Sequence, residues 1–432
     1  MREMKDSGIE WIGEIPKDWE VQRVKHIFNR KNKKARQEIP IVLSLARNGV
    51  RQRDITNNEG QIAESYYNYN VVDIGDLLIN PMDLYSGANC SISYINGVIS
   101  PAYINLVAKK GSNSRYYDYY FKLQYWLMAF FSYGKGVSFE NRWTLNTETL
   151  MNYPVICPTY DIQERIANYL DEKCFKIDEI IAKEETNIKL LEGYKQAITN
   201  QVVTRGLDST SEIKSSHVDW IEKIPSNWQK KRLKQVFKFG KGLPITKANL
   251  EDNGVPVISY GQIHSKQNRI IGMSQELIRY VNHSYITSNN GSLVKLGDFI
   301  FADTSEDLAG CGNNVYINTN EKTFAGYHTI ILRSQRSVDN RYFGYLFSTD
   351  CWRSQIRKRV SGIKLLSITQ KILKETTIIY PPIKEQIEIA SYLDIKIHII
   401  NEIVAKKHQL IEKCTEYKKS LIYEVVTGKK EV

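Results

Sequence analysis

The chain repeats itself, and that limits what it can fold into more than any other feature. Trp11 to Phe28 (WIGEIPKDWEVQRVKHIF) matches Trp220 to Phe237 (WIEKIPSNWQKKRLKQVF) at an offset of 209, with 8 of 18 positions identical. Gln163 to Lys183 (QERIANYLDEKCFKIDEIIAK) matches Gln386 to Lys406 (QIEIASYLDIKIHIINEIVAK) at an offset of 223, with 12 of 21 identical. In a chain of 432 residues this is a tandem duplication of domain-sized copies, in keeping with roughly 100–200 residues per domain. Between the two anchors the offset grows by 14, which places extra residues in the second copy, near Lys247 to Arg279. The ends of each copy are alike and the middles are not, so the two parts answer to different demands.

The middles mix short β-type runs, such as Pro40 to Leu45 and Thr329 to Leu332, with turn signals at Asn96-Gly97 and Asn253-Gly254. Each also holds a Gly-Asp turn before an apolar run, Ile74-Gly75-Asp76-Leu77-Leu78-Ile79 and Leu296-Gly297-Asp298-Phe299-Ile300-Phe301. Two similar mixed α/β domains in tandem follow, an α+β fold. The alike ends read as helices that begin after Pro158 and after Pro381-Pro382, where proline suits a first turn. Ile177, Ile181, Glu184, Ile188, Leu191, Lys195, Ile198 and Val202 alternate steps of four and three, as do Ile400, Val404, Lys407, Ile411, Cys414, Lys418, Leu421 and Val425. A helix from Asp161 to Thr204 would be about 65 Å long, with Gly193 a weak point inside it. Two such heptad seams in one chain would pack on each other as a coiled coil, and the polar linker Asp208 to Ser216 (DSTSEIKSS) lets the second helix return antiparallel. The expected boundaries are a first globular domain at 1–158, a helix at 159–207, a second domain at 208–381 and a second helix at 382–430.

Signals for catalysis are absent. No G-x-x-x-x-G-K-[ST] loop offers the backbone cradle and Lys that a nucleoside triphosphate needs. Asn80-Pro81-Met82-Asp83 has the start of the loop that holds a flipped base in amino-methyltransferases, but lacks its second Pro and its aromatic, and reads as a strand-ending turn. Glu212-Ile213-Lys214 ends like a metal-dependent nuclease motif yet falls in the polar linker. The 7 His residues show no H-x-H or H-E-x-x-H spacing, and the 6 Cys residues no C-x-x-C, so no bound metal is expected and the thiols read as buried. Without an apolar leader at the start or a run of 18 apolar residues, the chain reads as cytoplasmic.

A net charge of +11 points instead to a polyanion. In nucleic-acid readers, Arg and Lys neutralise phosphates and fix register, while amides, imidazoles and guanidiniums reach base edges. In the first copy Lys33, Lys34 and Arg36, then Arg47, Arg51 and Arg53, are the candidates; in the second, Lys241, Lys247, Gln262, His264, Lys266 and Arg269. Two glycine loops recur at one place in the copies, Tyr133-Gly134-Lys135-Gly136-Val137-Ser138 and Val360-Ser361-Gly362-Ile363-Lys364. Glycine would let backbone approach a phosphate, with Lys135, Ser138, the following Arg142, and Lys364 holding it; a plain turn is an equal reading.

The doubled W-I-x-x-I-P-x-x-W opening, the Gly-Asp turn, the glycine loop, and Pro-x-x-x-x-Gln-x-x-Ile-Ala-x-Tyr-Leu-Asp running into a long helix resemble the DNA-specificity subunits of Type I restriction-modification enzymes. The resemblance spans the chain. Its first helix start, Pro158-Thr159-Tyr160-Asp161-Ile162-Gln163, departs from the usual Pro-Pro-x-x-Glu-Gln kept at Pro381-Pro382-Ile383-Lys384-Glu385-Gln386. The resemblance implies a non-catalytic subunit whose two target-recognition domains, separated by an antiparallel coiled coil, each read half of a bipartite duplex site. It implies two methyltransferase subunits carrying S-adenosylmethionine, and restriction subunits using ATP and Mg, with no cofactor on this chain itself. The competing expectations are an enzyme with an unrecognised site and a coiled-coil scaffold that binds DNA without regard to sequence.

Overall fold

The structure, a computed structural model, describes residues 2–36, 40–46, 49–55, 63–82, 84, 89–136, 143–268, 271–362 and 364–432. It divides into two compact units, Met1–Glu185 with His408–Val432, and Thr186–Lys407. Each long helix therefore gives one end to each unit, whereas the sequence boundaries at 158, 207 and 381 mark only where the type of element changes. No helix among the described residues is long and apolar enough to cross a membrane.

Both units are built on the same antiparallel sheet. In the first, β1 (Phe28–Lys31), β2 (Leu77–Ile79), β3 (Cys90–Ile92) and β4 (Ile104–Ala108) take the order β1-β4-β2-β3; in the second, β5 (Phe237–Lys241), β6 (Phe299–Ala302), β7 (Asn314–Tyr316) and β8 (Thr329–Ser334) take the order β5-β8-β6-β7. The duplication thus extends into the middles, where the residues have diverged. Successive side chains of a strand point to opposite faces. Leu77 and Ile79 accordingly enter the main core of their unit while Leu78 joins a separate cluster with Leu43, Val72 and Ile99. Phe299 and Phe301 enter the second unit's main core, and Ile300 and Ala302 pack on the far side with Ile258. Cover on both faces explains why these strands read as unbroken apolar runs.

The Gly-Asp turns feed these central strands. Gly75 and Gly297 sit at φ of +91° and +94°, a region costly for other residues. Behind each glycine a buried carboxylate ties the turn together. Asp76 accepts the backbone N–H of Asp73 (2.9 Å), the Asn105 amide (2.9 Å) and the Lys31 ammonium (2.6 Å). Asp298 accepts the N–H of Lys295 (2.8 Å) and the Arg333 guanidinium.

The long helices α2 (Tyr160–Arg205) and α4 (Ile383–Val426) are seated by equivalent clasps on α1 (Ser114–Trp126) and α3 (Asn340–Ser348). Gln163, fully buried in the first turn of α2, donates to the Pro158 carbonyl (2.7 Å) and accepts the N–H of Asn113, the N-cap of α1 (2.8 Å). Gln386 does the same in α4, with Pro381 (2.8 Å) and Asp339, the N-cap of α3 (3.0 Å). Two turns on, Asp171 accepts Arg115 and the Tyr119 hydroxyl (both 2.7 Å), and Asp394 accepts Arg341 (2.6 Å) and Tyr345 (2.5 Å). Burial, with the carboxylate alongside, pushes both tyrosine hydroxyls far above their ordinary range.

The far ends of the helices complete each unit. The last carbonyls of a helix lack partners within it. Tyr116 of α1 donates to the Val426 carbonyl at the end of α4 (2.9 Å), and Tyr342 of α3 to the Val203 carbonyl at the end of α2 (3.0 Å). In each unit one short helix thus holds the start of one long helix and the end of the other, so the pair runs antiparallel there. Along the first unit Ile177 and Leu421 are buried, Ile181 and Cys414 half-buried, and Lys418 pairs with Asp178 at 2.6 Å. In the second unit Ile198, Val202 and Ile400 are buried, Ile188, Leu191 and Val404 half-buried, and Lys195 reaches Asn401 at 3.2 Å. Ile411 is half-buried and Val425 fully buried, and α2 runs unbroken through Gly193.

Each arriving helix stops at a left-handed glycine, Gly206 (φ +79°) or Gly428 (φ +74°), lying on the second tryptophan of a W-I-x-x-I-P-x-x-W segment, Trp228 or Trp19. Here the copies differ. Trp228 donates its indole N–H to Glu385 at 2.7 Å. The matching position in the first copy is Ile162, and the buried Trp19 indole nitrogen has no partner among the described residues. The short first-copy motif therefore still starts its helix but leaves one donor unsatisfied.

One expectation needs correction. The second half of the segment read as a polar linker is a strand, Ile213–Val218, paired with Ile221–Pro225, as Met4–Asp6 pairs with Glu14–Pro16. Its side chains are mostly exposed, so no buried face imprinted a two-residue period on the sequence. The six cysteines are free thiols, with Cys90, Cys174 and Cys311 buried. We expect Glu385→Ala to leave the Trp228 N–H buried without an acceptor and to lower the stability of the second unit by about 1–3 kcal/mol. The urea midpoint of the unit's unfolding reads this directly, and an unchanged midpoint would show that the bond contributes nothing net.

Candidate nucleic-acid interface

In the first unit the candidate cations lie along one extended layer. Residues 33–36 run beside 67–71, with the Val71 N–H on the Lys33 carbonyl (2.8 Å) and the Arg36 N–H on the Tyr67 carbonyl (3.1 Å). Strand Asn70–Val72 pairs with Gly97–Ile99, Val98 bridges to Val42, and Val42 leads into the hairpin of Leu43–Ala46 and Gly49–Gln52. At ~4.8 Å per strand, the layer is about 20 Å across, with Lys33 to Arg36 at one margin and Arg51 and Arg53 at the other. Leu43, Leu45 and Val50 turn toward the small core, which puts Arg51 on the opposite, exposed face of the hairpin. Lys33 is exposed and Lys34 reaches Asn70 Oδ1 at 2.8 Å. Arg36 takes a φ of +52°, left-handed for a residue with a side chain, where strain is held by its backbone bond to Tyr67. Arg47 lies outside the described residues.

The glycine loops serve packing and turns. A side chain at Gly134 would collide with the Trp143 ring, and one at Gly362 (φ +143°) with the Leu365 carbonyl. Lys135 and Lys364 are nevertheless exposed on these loops. Ser138, Arg142 and Ile363 lie outside the described residues. Asn80-Pro81-Met82 forms the turn expected of it, with Asn80 Oδ1 accepting the Met82 N–H at 3.0 Å; Asp83 lies outside the described residues.

In the second unit a groove of about 480 Å³ opens between Lys241, Asp303, Thr304, His328, Ser367 and Gln370. Pairing of Thr304–Ser305 with Leu366–Ser367 brings the loop that carries Lys364 beside it. Lys247 and Lys266 are exposed on neighbouring segments, and Arg269 lies outside the described residues. Gln262 and His264 have internal duties. The Gln262 amide accepts the Ser259 N–H (2.8 Å) and donates to the carbonyls of Val257 (2.8 Å) and Leu277 (3.0 Å). His264 sits with Nε2 2.7 Å from the Thr304 carbonyl and Nδ1 3.0 Å from the Asn313 amide. Both were candidates to read bases; their polar atoms are engaged within the unit, and His264 meets the groove wall at Thr304.

Groups that sequence reasoning passed over occupy the groove mouth. The Tyr260 ring lies 5.6 Å from Tyr327 and 5.4 Å from His328, and exposed His328, at φ +54°, has Nδ1 3.2 Å from Asp303. Burial, with Tyr260 beside it, pushes the Tyr327 hydroxyl up. The signal was available in Gly326-Tyr327-His328, two ring residues after a glycine at the head of β8. Gly326 is needed because a side chain there would collide with Ser259 Oγ. Stacking rings, a carboxylate and a lysine make a surface able to face bases and neutralise phosphate. Among the described residues no group of three His, Cys, Asp or Glu could hold a metal ion.

The family model for the Type I restriction modification DNA specificity domain matches residues 225–413. The chain is 22% identical to the Type I restriction enzyme MjaVIII specificity subunit of Methanocaldococcus jannaschii, over 96% of this chain and 93% of that protein. It is 24% identical to the putative type I restriction enzyme MjaX specificity subunit of the same organism, over 97% and 95%. Among solved structures, its fold matches a chain from a study of complex assembly and conformational transition in a type I R-M system, with a TM-score of 0.71 and 13% identity over 95% of this chain and 98% of that one. It also matches the HsdS subunit from Thermoanaerobacter tengcongensis, with a TM-score of 0.50 and 14% identity over 96% and 98%. With one fold built twice on one pair of clasped helices, the chain is similar over nearly its whole length to specificity subunits of Type I restriction enzymes, and its residues 225–413 match their DNA specificity domain.

Proposed function

We propose that this subunit reads a bipartite, asymmetric duplex target, each unit recognising one half, and delivers that site to two methyltransferase subunits and to restriction subunits. The observation that carries the reading is the contrast between the two units. Their clasps on α2 and α4 share the bonds of the buried glutamine and of the tyrosine on the returning helix end, while the surfaces bearing Arg51 in one and Tyr327 and His328 in the other are unlike. Equivalent mounting with different reading surfaces suits one scaffold addressing two different half-sites. The paired helices form a coiled coil whose length sets the spacer, as dimer geometry sets half-site spacing in other readers. Methylation by base flipping, with S-adenosylmethionine, and cleavage with ATP and Mg belong to the partners, in the cytoplasm.

The deciding experiment is single-molecule sequencing of adenine methylation in the native host with and without the gene. Loss of one two-part motif with a fixed gap on deletion supports the reading; unchanged methylation in a strain expressing the gene and its neighbours refutes it in favour of a scaffold. Deleting matched heptads from α2 and α4 should change the gap and leave both halves intact. Replacing Lys241 and Lys364 by Ala should weaken binding to all duplexes alike and reduce the salt slope by about one for each phosphate no longer neutralised. Gln262→Ala should instead lower the melting temperature, because three backbone bonds lose their partner. A change of half-site preference without loss of stability would return Gln262 to the base-reading surface.

A further inference from the structure

The second unit holds a pocket of about 350 Å³ lined by His217, Trp220, Lys230, Lys231, Arg232, Lys358 and Arg359. Its acidic lining residue is Asp219. None of the five Lys and Arg side chains is ion-paired among the described residues. Lys230 donates to the Ser216 carbonyl (3.1 Å), the Lys231 ammonium lies 3.7 Å from the Tyr380 ring centre, and Arg232 donates to the Glu375 carbonyl. The nearby Glu375 carboxylate is paired with Lys234. Burial, and then Arg336, lower the Lys231 pKa. The Trp220 indole nitrogen is buried without a partner among the described residues, and His217 is held at φ +51°.

The duplication supplies an internal control. At the matching offset the first copy has Gly8, Val21 and Gln22 in place of His217, Lys230 and Lys231. The bridges Lys135↔Thr144 and Ser361↔Ser367 place Ser132 and Tyr133 opposite Lys358 and Arg359. In the first copy the Trp11 indole nitrogen lies beside the Tyr153 hydroxyl, which donates to Gln124 Oε1 at 2.8 Å, and Tyr133 packs edge-on against Tyr153 at 4.9 Å. The counterpart of Tyr153 is Thr376, whose carbonyl takes the Leu233 N–H as that of Tyr153 takes the Val24 N–H. Exchange of two tyrosines for threonine and arginine leaves the indole donor without its hydroxyl and the cations without a ring between them. Lys230, Arg232, Lys358 and Arg359 are exposed and Lys231 is half-buried, so the pocket is open to an anion from solvent, which would relieve the mutual repulsion of the five charges.

We propose that this pocket binds a phosphate group, held by Lys231, Arg359 and the Trp220 N–H, either from the backbone of duplex DNA or from a free polyphosphate. The site lies outside the groove of Tyr327 and His328 and needs no bases, so it would add affinity without sequence preference. The duplex source rests on the reading above; the free polyphosphate does not.

The test uses the full chain and the double variant Lys231→Gln with Arg359→Gln. Binding is measured to a short duplex of random sequence across a salt series, and to inorganic tripolyphosphate by calorimetry. A fall of about one in the log–log salt slope for the variant supports backbone phosphate as the source. Tripolyphosphate binding by the natural chain that the variant loses, with the slope unchanged, supports a free polyphosphate. If the variant melts like the natural chain and neither readout moves, the proposal is overturned. Should the variant fail to fold, exposed Lys230→Gln with Lys358→Gln repeats the comparison. Failure of the natural chain to bind any duplex counts against the specificity reading, and the tripolyphosphate measurement still decides the pocket.

Discussion

A buried glutamine at the start of each long helix is the contact on which the molecule depends. Gln163 and Gln386 each satisfy a proline carbonyl behind them and the N-cap of a neighbouring helix ahead of them. An amide can do both because it carries a donor and an acceptor on one rigid plane. With the start of the helix located, Asp171 and Asp394 fall two turns later against an arginine and a tyrosine, and a second tyrosine caps the end of the returning helix. A buried polar network of this kind rigidifies only when every member is satisfied. That explains why the tract from Gln to Asp is alike in the two copies while the strands around it are free to differ.

Departures from the shared plan have local physical consequences. The second copy keeps Glu385 and satisfies Trp228; the first has Ile162, and its Trp19 donor has no partner among the described residues. The second copy carries a further four-stranded sheet, three of its strands and several short helices lying between β5 and β6 and the fourth, Thr323–Ala325, between β7 and β8. The first copy fills the space between Trp11 and Tyr133 with a ring, and the second leaves a cationic pocket there. None of these changes touches the clasp, so each unit can vary its surface without disturbing its mounting.

Legibility followed the size of the buried face. Heptads in α2 and α4, the Gly-Asp turns and the apolar strands Leu77–Ile79 and Phe299–Ala302 could be read because burial forces a periodicity or a glycine on the sequence. The strand Ile213–Val218 could not, since its outward side chains obey no period. Arg115-Tyr116-x-x-Tyr119 and Arg341-Tyr342-x-x-Tyr345 are a third repeat, at an offset of 226, too sparse in identities to be noticed beside the two long ones. Polar residues were the hardest. Gln262 and His264 have the chemistry of base readers and the neighbours of base readers, yet their hydrogen bonds close on the domain itself.

By itself the sequence determined that there are two copies, that each joins an α+β domain to a long helix with an apolar seam, and that the chain is basic. These follow from composition and spacing, which act through short-range sterics and the hydrophobic effect. Tertiary structure decided which tyrosine meets which helix end, that α2 and α4 run antiparallel within each unit, and which polar groups are committed inside the fold. Such choices rest on hydrogen-bond geometry between residues as far apart in the chain as Tyr116 and Val426, and no local pattern records them.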